Sequence, residues 1–393
     1  MTSKIEKEAF VWIWLPDETE PVVAGRLEAD NGNILFNYGK SYLNRTGDSK
    51  PAIAIYEPEL PLKAGVLSLP EGLTMPGCIR DAAPDAWGRR VIINKKLGFK
   101  GACTDTAELD ELTYLLESGS DRIGALDFQC SPTEYVPRTV NNVSMEELIE
   151  SAERVERGVP LTPELDQALF HGSSIGGARP KALIQAQGKK YVAKFSSNTD
   201  LYSVVKAEFI AMRLAQFAGL NAAPVKLAKA ANKDVLLIER FDRVPKGDKW
   251  ARKAMVSALT LFRLDDMMAR YASYETLSEI IRHRFTDPKH TLKELFSRLV
   301  FNILCGNTDD HARNHAAFWD GKALTLTPAY DICPQARAGN EASQAMLIYG
   351  DNNLSQLKTC LDTAHNFLLS KGEACETCGN LTATIDQHWD AVC

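Results

Sequence analysis

Asn307-Thr308-Asp309-Asp310-His311-Ala312-Arg313-Asn314, followed at Ala329-Tyr330-Asp331-Ile332-Cys333 by another carboxylate, is the stretch on which the fold of this chain turns. Upstream, Leu292, Leu295, Phe296, Leu299 and Ile303 recur at helical spacing and the pattern stops at Gly306, a residue that commonly ends helices. A dense polar loop straight after a buried helix is not an ordinary surface tip, although Asp and Asn are also common turn formers. Its residue types suit proton transfer and cation binding. A carboxylate such as Asp309 accepts or orients a hydroxyl proton, and the neutral oxygen of Asn314 with the carboxylate of Asp331 suits a hard divalent cation.

Working outward, Asp309 and Asn314 are five residues apart, as are the base and the metal-binding Asn of a protein-kinase catalytic loop. Asp331 follows a short predicted strand, Ala323 to Leu326, where a kinase carries its metal-chelating aspartate. Further upstream, Gly172-Ser173-Ser174-Ile175-Gly176-Gly177-Ala178-Arg179-Pro180-Lys181 brings small residues together where a backbone can approach a triphosphate. It is neither a G-x-G-x-x-G nor a Walker A motif, since Ala178-Arg179 stands in place of Lys-Ser/Thr; by itself it also reads as a flexible loop. Two short strands follow, Lys181 to Ala186 and Lys190 to Phe195, with Lys194 inside the second. A helix over Tyr202 to Phe217 puts Glu208 on the same face as Val205 and Met212, and a buried carboxylate there calls for a cation such as Lys194. Val235 to Glu239 then reads as an edge strand, and the chain beyond Pro245 as mainly helix. Gly-rich loop, two strands, helix, edge strand and helical half is the order of the two lobes of a protein kinase.

The first hundred residues read differently. Phe10 to Leu15, Val22 to Leu27 and Ile34 to Tyr38 are strand-like, Glu71 to Trp87 is a Gly/Pro-rich loop, and Arg89 to Leu97 and Glu108 to Glu117 are helical. A connection falls near Pro132 to Asn142, and Ser144 with Glu147 opens a capped helix running to Arg157. The chain has 393 residues, 45% hydrophobic and 24% charged, enough for a large core without disulfides or a structural metal. Its net charge of -6 disfavours a dedicated nucleic-acid binder, which needs a basic surface. No apolar run approaches a membrane span and no secretory signal is visible, so a cytoplasmic location is expected. Nine scattered cysteines read as reduced thiols; Cys375 and Cys378 form the one C-x-x-C, without a second pair at zinc spacing.

A metal-centred alternative uses the same residues. His311 and His315 are four apart and, with Asp309, Asp310 and Asp331, would suit zinc or a two-metal phosphohydrolase. That reading leaves the Gly-rich loop and Lys194 without a role, and Ala312 stands where H-E-x-x-H needs glutamate.

Taken together, Ser174 to Lys181, Glu239-Arg-Phe-Asp-Arg243, Asn307 to Asn314 and Leu326-Thr-Pro-Ala-Tyr-Asp331 resemble the HipA family of bacterial toxin kinases, and the resemblance extends to Gly124-Ala-Leu-Asp-Phe128 and the N-terminal β unit. It implies an α+β, two-lobed protein-kinase-like fold with an N-terminal β-rich subdomain (1–130), a kinase N-lobe-like region with phosphate loop and hinge (131–245), and a mainly helical C-terminal lobe (246–393). Asp309 would be catalytic; Asn314 and Asp331 would hold Mg²⁺. ATP would meet Ser174, Gly176, Gly177, Ala178, Lys181, Lys194, His311 and Arg313, with Glu239 and Phe241 at the adenine through backbone and Asp242 at the ribose. Glu208 would pair with Lys194. Ser174, or the adjacent Ser173, would be autophosphorylated, switching the enzyme off. The implied activity is that of a serine/threonine kinase toxin acting on a translation component such as an aminoacyl-tRNA synthetase. Its partner would be a helix-turn-helix antitoxin of the HipB type that carries most of the contact with operator DNA. Many family members run longer, and the helix through His388-Trp389-Asp390 reads as one cut short at Cys393. A small-molecule kinase and a weakly active corepressor bound to an antitoxin are the remaining alternatives.

Overall fold

The structure, a computed structural model, describes residues 7–46, 50–97, 109–138, 144–157, 159, 179–197, 200–336, 339 and 341–393. The chain divides into two compact units, Met1–Leu201 with Ala228–Met255 and Tyr202–Leu227 with Val256–Cys393.

The first unit opens with a five-stranded antiparallel sheet: β1 (Glu8–Ile13), β2 (Val22–Asp30), β3 (Asn33–Tyr38), β4 (Val66–Leu67) and β5 (Leu126–Gln129), in the order β4-β3-β2-β1-β5. In β3 every second residue is buried, the period of a half-covered sheet. The segment 71–87, expected as loop, contains a helical turn, Gly77–Arg80, and the first residues of the Ala86–Leu97 helix. Both starts are stabilised by carboxylates that a local reading undervalues. Glu59 accepts from the N–H groups of Gly77 (3.2 Å) and Cys78 (2.8 Å), and Asp85 from that of Gly88 (2.9 Å).

A second sheet contains β6 (Lys181–Ala186), β7 (Lys189–Phe195), β8 (Val225–Ala230) and β9 (Lys233–Glu239), ordered β6-β7-β9-β8. The β9 segment, expected at the edge, is therefore central, and β8 takes the edge. Lys226 and Lys229 are exposed there, charges that suit an edge and hide the strand from a hydrophobic scan. The β8–β9 turn is hidden too: Ala231 and Asn232 both have positive φ without a glycine. One face of this sheet is sealed by the Ala86–Leu97 and Met145–Arg157 helices, with Trp87, Val91, Leu148, Ile149 and Val155 packed on Tyr191, Ala193, Phe195, Val235 and Leu237. The expected cap of the second helix is present: Ser144 N–H donates to Glu147 Oε2 (2.8 Å) and Glu147 N–H to Ser144 Oγ (3.2 Å).

Beyond residue 242 the chain is less helical than its composition implies. A hairpin, β10 (Arg243–Lys246) and β11 (Lys249–Arg252), turns at Gly247, and a three-stranded sheet joins β12 (Ala254–Ser257), β13 (Ala316–Trp319) and β14 (Leu324–Leu326). These strands are too short for a clear alternation. In the second unit the Pro288–Cys305 helix is the hub, with Leu292, Leu295, Phe296 and Leu299 wholly buried. It packs on the Tyr274–Arg284 and Lys371–Val392 helices, the latter also touching the Val204–Phe217 helix. Among the described residues no helix is long and apolar enough to cross a membrane. Cys375 and Cys378 are free thiols on the last helix.

Trp87 is fully buried at the centre of the first unit's helix-on-sheet core and donates its indole N–H to the Lys181 carbonyl (3.2 Å). Trp87→Ala is expected to cost about 3–5 kcal/mol in urea unfolding, the usual penalty for truncating a buried tryptophan.

Candidate active site

The polar loop is launched by a helix end built for a sharp reversal. Gly306 adopts φ +75°, its N–H donates to Ile303 O, and Asn307 N–H donates to Asn302 O (2.8 Å), the paired bonds of a Schellman stop. Asn307 is buried and its side-chain amide donates to Asn302 Oδ1 (3.0 Å). Two backbone bonds from distant chain then hold the loop: Gln335 N–H to Gly306 O and Ala345 N–H to Thr308 O, both 3.0 Å.

Asp309 is exposed, while its neighbour Asp310 is buried and turned inward. Asp310 Oδ1 lies 2.9 Å from His315 Nε2, and Oδ2 accepts the hydroxyl of Tyr274. Burial opposes ionisation of Asp310, but His315 outweighs it and holds the carboxyl below its ordinary range. Burial and the Asp310 charge together raise the Tyr274 phenol, keeping it a donor. This clamp fixes the backbone beyond Asp309 and beyond Asn314 at once. Inside the clamped span, Asn314 Nδ2 donates to the Asp309 carbonyl (3.1 Å), which leaves its amide oxygen as the acceptor end.

Asp331 reaches the same loop along another route. Its preceding residue run is pinned by Ala329, which exchanges backbone bonds with Asn221 and Ala223 (2.7 and 2.9 Å). Buried Arg298, paired with Glu294 (2.8 Å), donates to the carbonyls of Asn221 (3.1 Å) and Thr327 (2.9 Å). Tyr330 OH donates to Arg313 O (2.7 Å), tying the strand exit to the loop. Asp331 itself has φ +59°, a left-handed conformation that non-glycine residues hold mainly where surrounding contacts impose it. Asp309 is raised above the ordinary carboxylate range, chiefly by desolvation and then by the charges of Asp331 and Asp310, against His311. A carboxylate raised in part by the charge of another favours a nearby cation.

The zinc reading fares worse. Asp310 and His315 are spent on each other, and among the described residues no three His, Cys, Asp or Glu side chains converge as metal ligands. Hard oxygen donors, Asp309, Asn314 and Asp331, are what remains, and they suit Mg²⁺ better than zinc.

In the first unit, β7 carries Lys194 into a buried position, paired in register with Lys181 of β6 and Leu236 of β9, on the sheet face away from the Trp87 core. Lys181 Nζ is 3.3 Å from Asp85 Oδ2, so this lysine is drawn toward the N-terminal region. Glu208 is buried beside Val205 and Met212 on its helix, in the second unit. Glu239 projects its carboxylate to Lys189 (2.6 Å). Asp242, expected at a ribose, has both oxygens engaged: Arg240 Nε on Oδ1 (2.9 Å), and Arg240, Arg243 and the Gly124 N–H on Oδ2 (2.8 Å each). Burial resists this charge, yet the two arginines pull its pKa down to about 2.

The sequence of residues 13–129 matches the HipA N-terminal domain, and that of residues 173–389, more than half of the chain, the HipA-like C-terminal domain. The chain belongs to the HipA family. HipA-family relatives include the protein named "Putative kinase Y4mE" of Sinorhizobium fredii, 25% identical over 342 residues (79% of this chain, 74% of that protein). The serine/threonine-protein kinase toxin HipA of Shewanella oneidensis is 24% identical over 186 residues, covering 40% of this chain and 42% of the toxin. A chain of the solved Shewanella oneidensis complex of HipA, HipB and operator DNA aligns with a TM-score of 0.70 at 20% identity, covering 97% of this chain and 90% of that one. That likeness establishes the two-lobed HipA fold. Of the expected site residues, Ser173, Ser174, Gly176, Gly177 and Ala178 lie outside the described residues. His311 and Arg313 lie in the clamped loop, Arg313 paired with Asp266. Tyr274 was not legible as part of this site, because its link to Asp310 spans 36 residues and phenols carry no motif.

Two outcomes follow from these geometries. Asp310→Ala strands a buried imidazole and a buried phenol, and is expected to cost about 2–4 kcal/mol in urea unfolding. Asp242, depressed from 3.8 to about 2, contributes stability that is complete above pH 4 and lost as pH falls through 2. Melting temperature plotted from pH 5 to pH 2 should therefore fall less steeply for Asp242→Asn than for the parent chain; parallel profiles would contradict the assignment.

Proposed function

We propose that this chain is an ATP-dependent serine/threonine kinase and the toxin of a toxin–antitoxin pair. The observation that carries this reading is the clamped loop, in which Asn314 is tied to Asp309 and the Asp331 charge bears on Asp309. Asp309 orients the acceptor hydroxyl and takes up its proton as it attacks. Its raised pKa makes it a better base than an ordinary aspartate. Asn314 and Asp331 hold a divalent metal, Mg²⁺ by the hardness of their oxygens. When bound, ATP with that metal supplies the phosphoryl group and neutralises charge developing on its oxygens. Lys194 and the loop around Ser174, Gly176, Gly177 and Ala178 serve the phosphates, with His311 and Arg313 contributing from the catalytic loop. Glu239 and Phe241 meet the adenine through their backbones. Asp242 stays with its arginines, and Lys181 with Asp85, in place of direct contact with nucleotide.

The regulatory reading follows the family. Phosphorylation of Ser174, or of Ser173, adds a dianion to a loop that serves a triphosphate and so competes with it. The solved Shewanella complex pairs its toxin with HipB on operator DNA, which supports an antitoxin partner here and DNA contact mainly through it. The net charge of -6 agrees with that division. An aminoacyl-tRNA synthetase is the substrate the family suggests. Residues 1–130 then form an N-terminal module, 131–245 the nucleotide-facing lobe and 246–393 the catalytic lobe.

Incubation with radiolabelled ATP and Mg²⁺ is expected to label Ser174 or Ser173, located by mass spectrometry. Asp309→Ala should lower labelling by at least about a thousandfold, the scale of losing a principal catalytic group, with unfolding stability unchanged or improved. Undiminished labelling of that variant would refute the role of Asp309.

A further inference from the structure

The segment 121–124 and the hinge 240–243 are cross-bolted by charge. Asp121 Oδ1 accepts from Arg240 (3.0 Å) and twice from Arg243 (3.0 and 2.8 Å), and Oδ2 from Lys190 (2.6 Å). The Arg122 carbonyl accepts from Arg240 (2.7 Å) and from Arg243, the Asp121 carbonyl from Arg240 (3.2 Å), and the Gly124 carbonyl from Arg243 (2.9 Å). In return the Gly124 N–H donates to Asp242. Both guanidinium groups are almost wholly buried. Residues 121–124 belong to the segment matching the HipA N-terminal domain, and residues 240–243 to the segment matching the C-terminal one.

The placement of these arginines within the hinge is informative. Arg240 sits between Glu239 and Phe241, and Arg243 directly follows Asp242. The main chain is held on both sides as well, by Arg240 N–H to Lys190 O (2.9 Å) and Lys253 N–H to Asp242 O (3.0 Å). Each arginine side chain leads away from the hinge into the N-terminal segment, so what that segment controls is backbone position. Groups that meet a ligand through backbone have no rotamer to adjust, and an error in main-chain position passes directly into the contact.

We propose that Asp121 is a positioning residue for nucleotide: through Arg240 and Arg243 the N-terminal domain sets the hinge backbone that receives the adenine. This rests on the kinase reading above. It makes the N-terminal domain part of the nucleotide site without touching the ligand. Removing the Asp121 charge deprives Lys190 of its ion pair and leaves Arg240 and Arg243 sharing one carboxylate, Asp242, so the guanidinium groups must shift toward solvent or toward each other's acceptors. Lys190 is a milder handle, since its loss leaves Asp121 with both arginines.

The test is ADP binding by isothermal titration calorimetry, with ATP kinetics alongside, on the full chain. Asp121→Asn is expected to raise the ADP Kd and the KM for ATP about tenfold while kcat at saturating ATP stays within about twofold, the signature of lost uniform binding. Lys190→Met should raise the Kd about threefold, and Lys189→Ala, which breaks only the exposed pair with Glu239, should leave it unchanged. A folded Asp121→Asn with parental Kd overturns the proposal, because a merely structural bolt lowers the melting temperature without altering affinity per folded molecule. If Asp121→Asn does not fold, Lys190→Met decides: a parental Kd overturns it and a raised one supports it. A parent chain that binds no ADP would instead bring down the kinase reading, and this proposal with it.

Discussion

Two guanidinium groups, those of Arg240 and Arg243, are buried in the first unit, and neither can be left there without acceptors. Between them they present ten N–H donors in fixed planar forks. A strand end cannot satisfy that demand from its own backbone. The acceptors come from the carboxylates of Asp121 and Asp242 and from the carbonyls of Asp121, Arg122, Asp242 and Gly124. The turn through 121–124 is shaped for this: Gly124 adopts φ +78°, which frees its N–H and its carbonyl to face the hinge together. Arg122 extends the same logic inward, through Asp127, to Arg138 and Tyr135. Ionised Asp121 and Asp242, both held well below the ordinary carboxylate range against their burial, are thus a condition for the segment 240–243 to exist in this form.

The polar loop after Gly306 in the second unit poses the opposite electrostatic problem. Asp309, Asp310 and Asp331 bring three carboxylates into a small region. Asp310 is engaged on both oxygens, by His315 and by Tyr274, and is held inward. Asp309 and Asp331 still repel one another: the Asp331 charge adds to the desolvation that chiefly raises Asp309, against the pull of His311. A site that keeps such repulsion is poised for a ligand that cancels it, and a divalent cation escorting a polyphosphate does so.

The sequence was most legible where the chemistry is local. The Gly306 stop, the Ser144–Glu147 cap and the β6–β7 hairpin all follow from neighbouring residue types, and the structure contains each of them. The failures share a cause. The β8 strand was hidden by its surface lysines and by a glycine-free turn at Ala231-Asn232. The helical turn at Gly77 depends on Glu59, eighteen residues away. The buried pairing of Asp242 is equally hard to read, since nothing local says that its neighbours Arg240 and Arg243 are buried. Tyr274 and Asp121 act across 36 and 119 residues. Long-range polar contacts of this kind leave no periodicity to read.

The segment 240–243 and the polar loop 307–314 lie in different units yet use one device. In each, the residue expected to act on the ligand is flanked by a residue locked into a buried ion pair. Arg240 lies between Glu239 and Phe241; Asp310 follows Asp309, and His315 follows Asn314. At Asp309-Asp310 the locked residue takes the inward direction and its neighbour the outward one, Asp310 being buried and Asp309 exposed. A hydrophobic anchor would also bury the neighbour, but it would tolerate sliding among similar packings. A buried charge does not, because displacement by a few ångströms leaves it without a partner at a cost of several kcal/mol. Buried ion pairs contribute little net stability compared with apolar packing of equal volume. Their presence beside both expected ligand-facing segments is therefore better understood as a means of fixing backbone register than as a source of stability.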